Sequence, residues 1–369
     1  MRVLTNTGEL VPNNGISIQT LQVTQELARR GHRIDLLYLA DGPHHEEFAR
    51  FCDSMQKVTR LDLEIEARAL LHDGPRVLPA VWAGRHVHPD VVYVTRFLPL
   101  PWAVATSTVS RTPVVCHLHG FVGIDVPWVN RALGRFTTRF LCVSRFVRDR
   151  FLQLGADPKK VDVVHNGIDA AEYPPGGTAE REAARRELDL DLDPFLVLFY
   201  GRVVPDKGIG TLVDALEQLH HSRPVELLVV GPQPDEEFTA RVFATDRLRI
   251  HQLPMRTDVV TPLHAADLVV VPSEGEEAFG RTVIEAMSTG RPVIASAVGG
   301  IPEILSGEFA RFLVPPGDAT AIAANVREVL DWRDGEPHLG EECSAFVAHN
   351  FSLRAMVDGI EERLVDAVG

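Results

Sequence analysis

Short apolar runs alternate with stretches of helical spacing from residue 2 onward, stop once, and then resume. In the first series the runs are 2–5, 34–39, 91–95, 113–118, 140–143 and 161–165. Near-continuous apolar runs of this kind read as strands buried on both faces of a parallel sheet, which makes the class α/β. Helical stretches separate them. One covers 17–30 and stops at Gly31, and another follows Ser144, whose hydroxyl suits an N-cap. The rhythm breaks at Tyr173, where Pro174-Pro175-Gly176-Gly177 can continue neither a helix nor a central strand. After a charged helix over 178–188 it restarts with runs at 195–200, 225–230, 249–251, 268–271, 292–295 and 312–314. Two doubly wound, Rossmann-like domains follow, 1–173 and 174–350, a division that suits a chain of 369 residues. The last segment, 352–368, carries apolar residues at 353, 356, 357, 360, 364, 365 and 368, an amphipathic helix that must pack on something.

Charge divides the chain unequally. Residues 1–175 hold 20 Lys+Arg against 18 Asp+Glu, whereas 176–369 hold 17 against 33, within an overall net charge of −14. That balance excludes generic nucleic-acid binding, which needs an extended basic surface, but it leaves room for an anionic partner in the first half. No run approaches the roughly 20 apolar residues of a membrane span, and the start MRVLTNTG lacks a signal-peptide profile. A cytoplasmic protein is expected. Cys52, Cys116, Cys142 and Cys343 are scattered without any C-x-x-C pair and read as small buried side chains.

Open α/β sheets bind ligands beyond the carboxyl ends of their strands, so chemistry is sought in the residues that follow the strand runs. The most informative segment is DLVVVPSEGEEAFGRTVIEAMSTGRPVIASAVGGIPE, residues 267–303, which reads as strand, acidic turn and helix. Glu277 falls in the turn and Glu285 more than one turn into the helix, too far apart to touch. Two separated carboxylates suit two polyols, and the N–H groups of 279–282 at the helix start suit an anion between them. Hydroxyls, phosphate, hydroxyls is the layout of a nucleotide sugar. Taken singly, each glutamate reads equally well as a solvated acid. In FYGRVVPDKGIG, Arg202 and Lys207 follow a strand end and could stabilise a departing diphosphate, the work a divalent metal does elsewhere; the plain alternative is a pair of surface charges. Neither G-x-x-x-x-G-K-[ST] nor a G-x-G-x-x-G after the first strand is present, which argues against triphosphate hydrolysis and NAD chemistry.

In VVCHLHGFVGID, His117 and His119 are read as pointing to opposite faces of their strand, so that only His119, at its end, reaches a ligand. Asn13-Asn14-Gly15 precedes the first helix and allows close backbone approach to phosphate, a weak signal by itself. Asp189, Asp191 and Asp193 resemble a metal loop but lie in a polar connection, where they read as solubilising. Arg131, Arg135 and Arg139 form a helical stripe that reads first as a solvated face and second as a contact for anionic lipid, a weak peripheral membrane contact of the first domain.

With these residues in view, the chain resembles the retaining glycosyltransferases of family 4 (group 1, GT-B fold) along nearly its whole length. The E-x7-E motif stands as EAFGRTVIE, followed by EAMSTGRPVIASAVGGIPEI; GRVVPDKG, VSRFVRDRF, HNGID and FLVPPGD stand in the usual order. The resemblance implies two Rossmann-like domains facing a central cleft, an acceptor-binding one over 1–173 and a donor-binding one over 174–350, with 351–369 crossing back onto the first. It implies that Arg202 and Lys207 hold the donor diphosphate, Glu277 the transferred sugar and Glu285 the ribose. The main chain of Phe279 and Gly280, with Thr282, takes sugar and phosphate, Gly15 belongs to the N-terminal donor loop, and His119 sits beside the reacting sugar. The family's adjacent glycines are replaced by Asn14-Gly15, and Arg281 carries no inherited role. The family pattern fixes no acceptor contacts; Arg96, Asp125 and Trp128 of the first domain are the candidates chosen for that role.

The implied reaction moves a sugar from a nucleoside-diphosphate sugar to an acceptor hydroxyl with retention. It uses no obligatory metal or other cofactor, and its partners are the donor and the acceptor, with no nucleic acid. A GT-B sugar-nucleotide epimerase, a glycoside phosphorylase and an inactive sugar-nucleotide binding module are the alternatives. The base and sugar of the donor, the acceptor (natural product, polysaccharide or lipid-linked sugar) and the oligomeric state are left open.

Overall fold

The computed structural model describes residues 1–11, 15–62, 67–120, 127–219 and 224–369, with side chains from 75 and 131 onward in the helices that begin at 67 and 127. It forms two units: Met1–Asn166 with Leu353–Gly369, and Gly167–Ser352. The chain therefore passes between them at Asn166–Gly167, upstream of the Pro–Gly break.

The first unit contains β1 (Arg2–Glu9), α1 (Gly15–Arg29), β2 (Arg33–Ala40), α2 (His45–Ala49), β3 (Cys52–Lys57), α3 (Ala67–His86), β4 (Val91–Val94), α4 (Leu100–Ser110), β5 (Val114–Leu118), α5 (Pro127–Phe136), β6 (Arg139–Cys142), α6 (Arg145–Gln153) and β7 (Val161–Val163). Its seven parallel strands are ordered β3-β2-β1-β4-β5-β6-β7. The second unit contains α7 (Thr178–Glu187), β8 (Phe195–Tyr200), α8 (Ile209–Glu217), β9 (Val225–Val230), α9 (Glu236–Val242), β10 (Arg249–Leu253), α10 (Val260–Ala265), β11 (Leu268–Val271), α11 (Arg281–Ser288), β12 (Val293–Ser296), α12 (Ile301–Ile304), β13 (Leu313–Val314), α13 (Ala319–Val329), α14 (Trp332–Gly335) and α15 (Leu339–Asn350). Its six parallel strands are ordered β10-β9-β8-β11-β12-β13. The last helix, α16 (Leu353–Val368), belongs to the first unit.

The central strands are the fully apolar runs of the sequence: VVYV of β4 and VVCHL of β5 are buried throughout. β3, CDSMQK, has no apolar run to announce it, because it lies at the sheet edge with one face in solvent. On one face of the first sheet, Val23 and Leu27 of α1 and Met356, Val357, Ile360 and Leu364 of α16 join the side chains of β1, β4 and β5 in one core cluster. Ser144 caps α6, its hydroxyl accepting from the Val147 N–H at 3.1 Å.

Each sheet reverses its strand order once, between β1 and β4 and between β8 and β11. In each sheet the switch point lies at the carboxyl ends of that sheet's own central strands, the place where open α/β sheets bind ligands.

Candidate functional site

Three loops of the second unit meet at its switch point. The loop after β8 carries Gly201, Arg202 and a single 3-10 turn, Pro205–Lys207, closed by Gly208 at φ +68°. A Cβ on Gly208 would lie 1.9 Å from the Pro272 carbonyl oxygen, so only glycine lets this loop touch the one after β11. The Asp206 carbonyl accepts the N–H groups of Glu274 and Gly275, both at 2.9 Å. Thr211 donates to the Glu274 carboxylate at 2.5 Å. On the other side the Glu277 carbonyl accepts from Gly300 N–H at 2.9 Å, and a Cβ on Gly299 would stand 1.8 Å from that oxygen.

This scaffold fixes Glu277. Its Oε1 accepts from Lys207 Nζ at 2.5 Å and from Ser273 Oγ at 2.8 Å, while both partners of the ion pair stay partly open, at 25% and 20% exposure. An ammonium has three donors, so Lys207 retains capacity for an anion. Arg202, just past the β8 end, is exposed and has no ion-pair partner among the described residues.

Glu285 differs from the surface acid its sequence position also allowed. It is buried, and its Oε1 accepts from Arg281 Nε at 2.6 Å and from the Tyr173 hydroxyl at 3.1 Å. Arg281 Nη2 lies 3.5 Å from the same hydroxyl, and Ser288 Oγ donates to the Tyr173 carbonyl at 2.9 Å. Burial raises the Tyr173 and Tyr200 phenols, and the Glu285 charge adds to the rise, so both stay protonated. Burial works against the Arg281 charge, yet Glu285 and Tyr173 outweigh it and the net shift is upward. Phe279 is buried against Phe351, ring centroids 5.8 Å apart, and offers only its main chain to a ligand. Gly280, at φ +104°, opens α11, and Thr282 in its first turn is partly exposed.

In the first unit His119 follows β5 and is partly exposed. Its ring lies 4.2 Å from that of His117, so the two share one side of the strand; the expected opposite faces are corrected by the pleat itself, which returns every second residue to the same face. His117 is fully buried, shares a 2.8 Å hydrogen bond with the Tyr93 hydroxyl, and is held by burial at a pKa of about 3, hence neutral. Gly15 opens α1 and is exposed. Arg96 reaches back over Gly8, 3.5 Å from Asp62, beside a cavity of about 340 Å³ at the β1/β4 switch point, lined by Thr7, Glu9, Ser17, Asp62, Thr95 and Arg96. Burial raises the Asp62 carboxyl against the Arg96 charge. Asp125 and the Trp128 side chain lie outside the described residues.

The structure thus brings Lys207 to Glu277, and it adds partners the sequence reading did not name: Asp206, Ser273, Tyr173, Arg281 and Asp62. Tyr173 and Arg281 had a signal of a kind, an aromatic at the edge of a Pro–Gly break and a cation four residues before Glu285. Asp191 pairs with Arg249 at 2.6 Å. Among the described residues, no three His, Cys, Asp or Glu cluster as a metal set, and no helix is long and apolar enough to cross a membrane.

Two family models match the chain, Glycosyltransferase Family 4 over residues 13–172 and Glycosyl transferases group 1 over residues 194–331. The D-inositol 3-phosphate glycosyltransferase of Corynebacterium efficiens is 31% identical over 377 residues, 93% of this chain and 88% of that protein. Its namesake in Segniliparus rotundus is 34% identical over 216 residues, 56% of this chain and 46% of its own length. Among crystal structures, a glycosyltransferase from Rickettsia africae superposes with a TM-score of 0.85 at 20% identity, covering 100% and 98% of the two chains. Anabaena Alr3699/HepE in complex with UDP-glucose gives 0.81 at 22%, covering 99% and 100%. Two doubly wound parallel sheets of this kind are the GT-B fold. The chain belongs to the group 1 glycosyltransferases of family 4.

Proposed function

We propose that the protein moves a sugar from a nucleoside-diphosphate sugar to an acceptor hydroxyl with retention of anomeric configuration. The observation that carries this reading is the Lys207–Glu277 pair, fixed by three loops at the β8/β11 switch point with Arg202 exposed on the same loop as Lys207. In this reading Lys207 and Arg202 neutralise the diphosphate, whose charge grows as its bond to the sugar breaks. Glu277 aims the ammonium and accepts from sugar hydroxyls; Glu285 accepts from the ribose. The main chain at Phe279 and Gly280, with Thr282, cradles phosphate at the start of α11. The family motifs assign His119 to the reacting sugar and Gly15 to the N-terminal donor loop. Two fixed cations make a metal unnecessary, so turnover should survive excess chelator.

The acceptor is assigned to the cavity beside Arg96. Its chemistry is a guanidinium, two carboxylates and three hydroxyls, which suits a polyol bearing one acidic group. The relatives named for D-inositol 3-phosphate make that compound the first acceptor to try, and the UDP-glucose complex makes that donor the first of the UDP-, GDP-, ADP- and dTDP-sugars. The enzyme would work in the cytoplasm. Thermal shift against the four donor classes, then NMR of the product anomer, tests the reading. Selective stabilisation and a retained anomer are expected; stabilisation by no nucleotide sugar would overturn it, and epimerised donor without acceptor would replace it with epimerase chemistry.

A further inference from the structure

Helix α4 packs against both α3 and α5, and the three helices lead into β4, β5 and β6, which are neighbours in the first sheet. Their C-terminal ends therefore stand side by side where those strands begin, roughly 10 Å apart by ordinary helix packing. Near these ends stand Trp82 of α3, Val109 of α4 and Phe136 of α5, exposed by 53%, 45% and 59%, with Leu78, 54% exposed, one turn before Trp82 on α3. Single exposed apolar residues are common, but four on three adjoining helices form a surface.

The charge of the same stretch is as one-sided. From the start of α3 to the end of α5, residues 67–136 hold seven arginines against three carboxylates in a chain of net charge −14. The stretches 75–88, 100–112 and 131–139 contain Arg76, Arg85, Arg111, Arg131, Arg135 and Arg139 and no carboxylate. Among the described residues nearby, Asp90 accepts from the Arg2 N–H, Asp157 from the Lys159 N–H, Asp149 pairs with Arg148 at 2.7 Å, and Asp162 lies 3.5 Å from Arg139. Arg85 rests over the Trp82 ring at 5.2 Å, and Arg135 adjoins Phe136. Cations near helix C-termini complement the helix dipole, which accounts for arginines there but not for bare tryptophan and phenylalanine beside them. Nucleic acid would engage the arginines and leave the apolar residues in water. A bilayer rich in anionic headgroups takes both, the rings entering the headgroup boundary and the guanidinium groups meeting phosphate. We propose that this α3–α4–α5 rim docks the first unit on an anionic membrane surface.

The test is independent of the donor site. Full-length protein is sedimented with phosphatidylcholine vesicles, with and without phosphatidylglycerol, while Trp82 emission is followed. Binding is expected only with phosphatidylglycerol, with a blue shift absent in Trp82→Phe and an affinity that falls as salt rises. Trp82→Glu with Phe136→Glu should abolish it, and each of Arg85→Gln and Arg135→Gln should weaken it about fivefold. Unchanged nucleotide-sugar stabilisation in these variants shows that they fold. Failure of the parent protein to bind, equal binding to neutral vesicles, binding that persists in the double variant, or binding of duplex DNA that survives it, would each overturn the proposal.

Discussion

Lys207 spends its charge on one oxygen of Glu277, and that economy tells what its removal does. Lys207→Ala deletes a preorganised cation and leaves Glu277 without its counter-charge, so turnover should fall by roughly 10²–10³ in steady-state assays with saturating donor. Near-normal activity would remove Lys207 from the reaction. Arg281 acts one step back. Arg281→Leu leaves a buried Glu285 facing only the Tyr173 hydroxyl, and the donor KM should rise about tenfold or more with kcat changed less. Stability has its own key residue in Asp267. Burial alone would raise its carboxyl, but the hydrogen bond from Arg181 and the charges of Arg185 and Arg333 win, bringing it from 3.8 to about 2. A depressed pKa means that the ion cluster stabilises the fold by about 2 kcal/mol above pH 4 and that this is lost as pH falls from about 4 to about 2. Denaturant titrations across that window should show a larger loss in the parent than in Asp267→Asn, which keeps only the part due to other depressed carboxylates such as Glu26. That variant should already be weaker by about 3–5 kcal/mol at neutral pH, since Arg181, Arg185 and Arg333 lose a buried counter-ion. At this scale the sequence reading named Lys207, Glu277 and Glu285 from residue type and spacing. It could not name Tyr173 or Arg281 as their neighbours, because side-chain partners more than a turn away are decided by packing. His117 shares the face of His119 because side chains of a strand return to the same face at every second residue.

Between elements the decisive contacts are made by backbone. Gly208 brings the loop after β8 onto Pro272, and Gly299 brings the loop after β12 onto Glu277. Gly208→Ala combines an unfavourable φ with a collision against a carbonyl oxygen. Stabilisation by nucleotide sugar should be lost while the far-ultraviolet circular dichroism of the sheets is kept. The elements themselves were legible wherever burial on both faces demanded an apolar run. They were illegible where it did not: β3 is a polar edge, and α3 contains Pro75 and Pro79, which argue against a helix in a linear reading. Pro79 is exposed and stands in a helix maintained by its packing on α4.

At the scale of the whole chain, each unit carries its own sheet, switch point and core, but the first is completed by residues beyond the second. Met356, Val357, Ile360 and Leu364 are fully buried in the first core, worth roughly 6–12 kcal/mol of gross apolar burial. Truncation after Ser352 should therefore abolish the first cooperative transition in calorimetry and leave that of the second unit near its original temperature. Retention of both transitions would show that α16 is dispensable.

The placement of α16 also sets an order of events during synthesis. All strands of the leading sheet leave the ribosome before the helix that must cover one of its faces exists, and 186 residues of another compact body intervene between Asn166 and Leu353. Translation thus hands the cell a half-covered sheet whose exposed apolar face waits for its lid. Chaperone binding at that stage should concentrate on nascent chains that end short of residue 364 and fade once it has emerged.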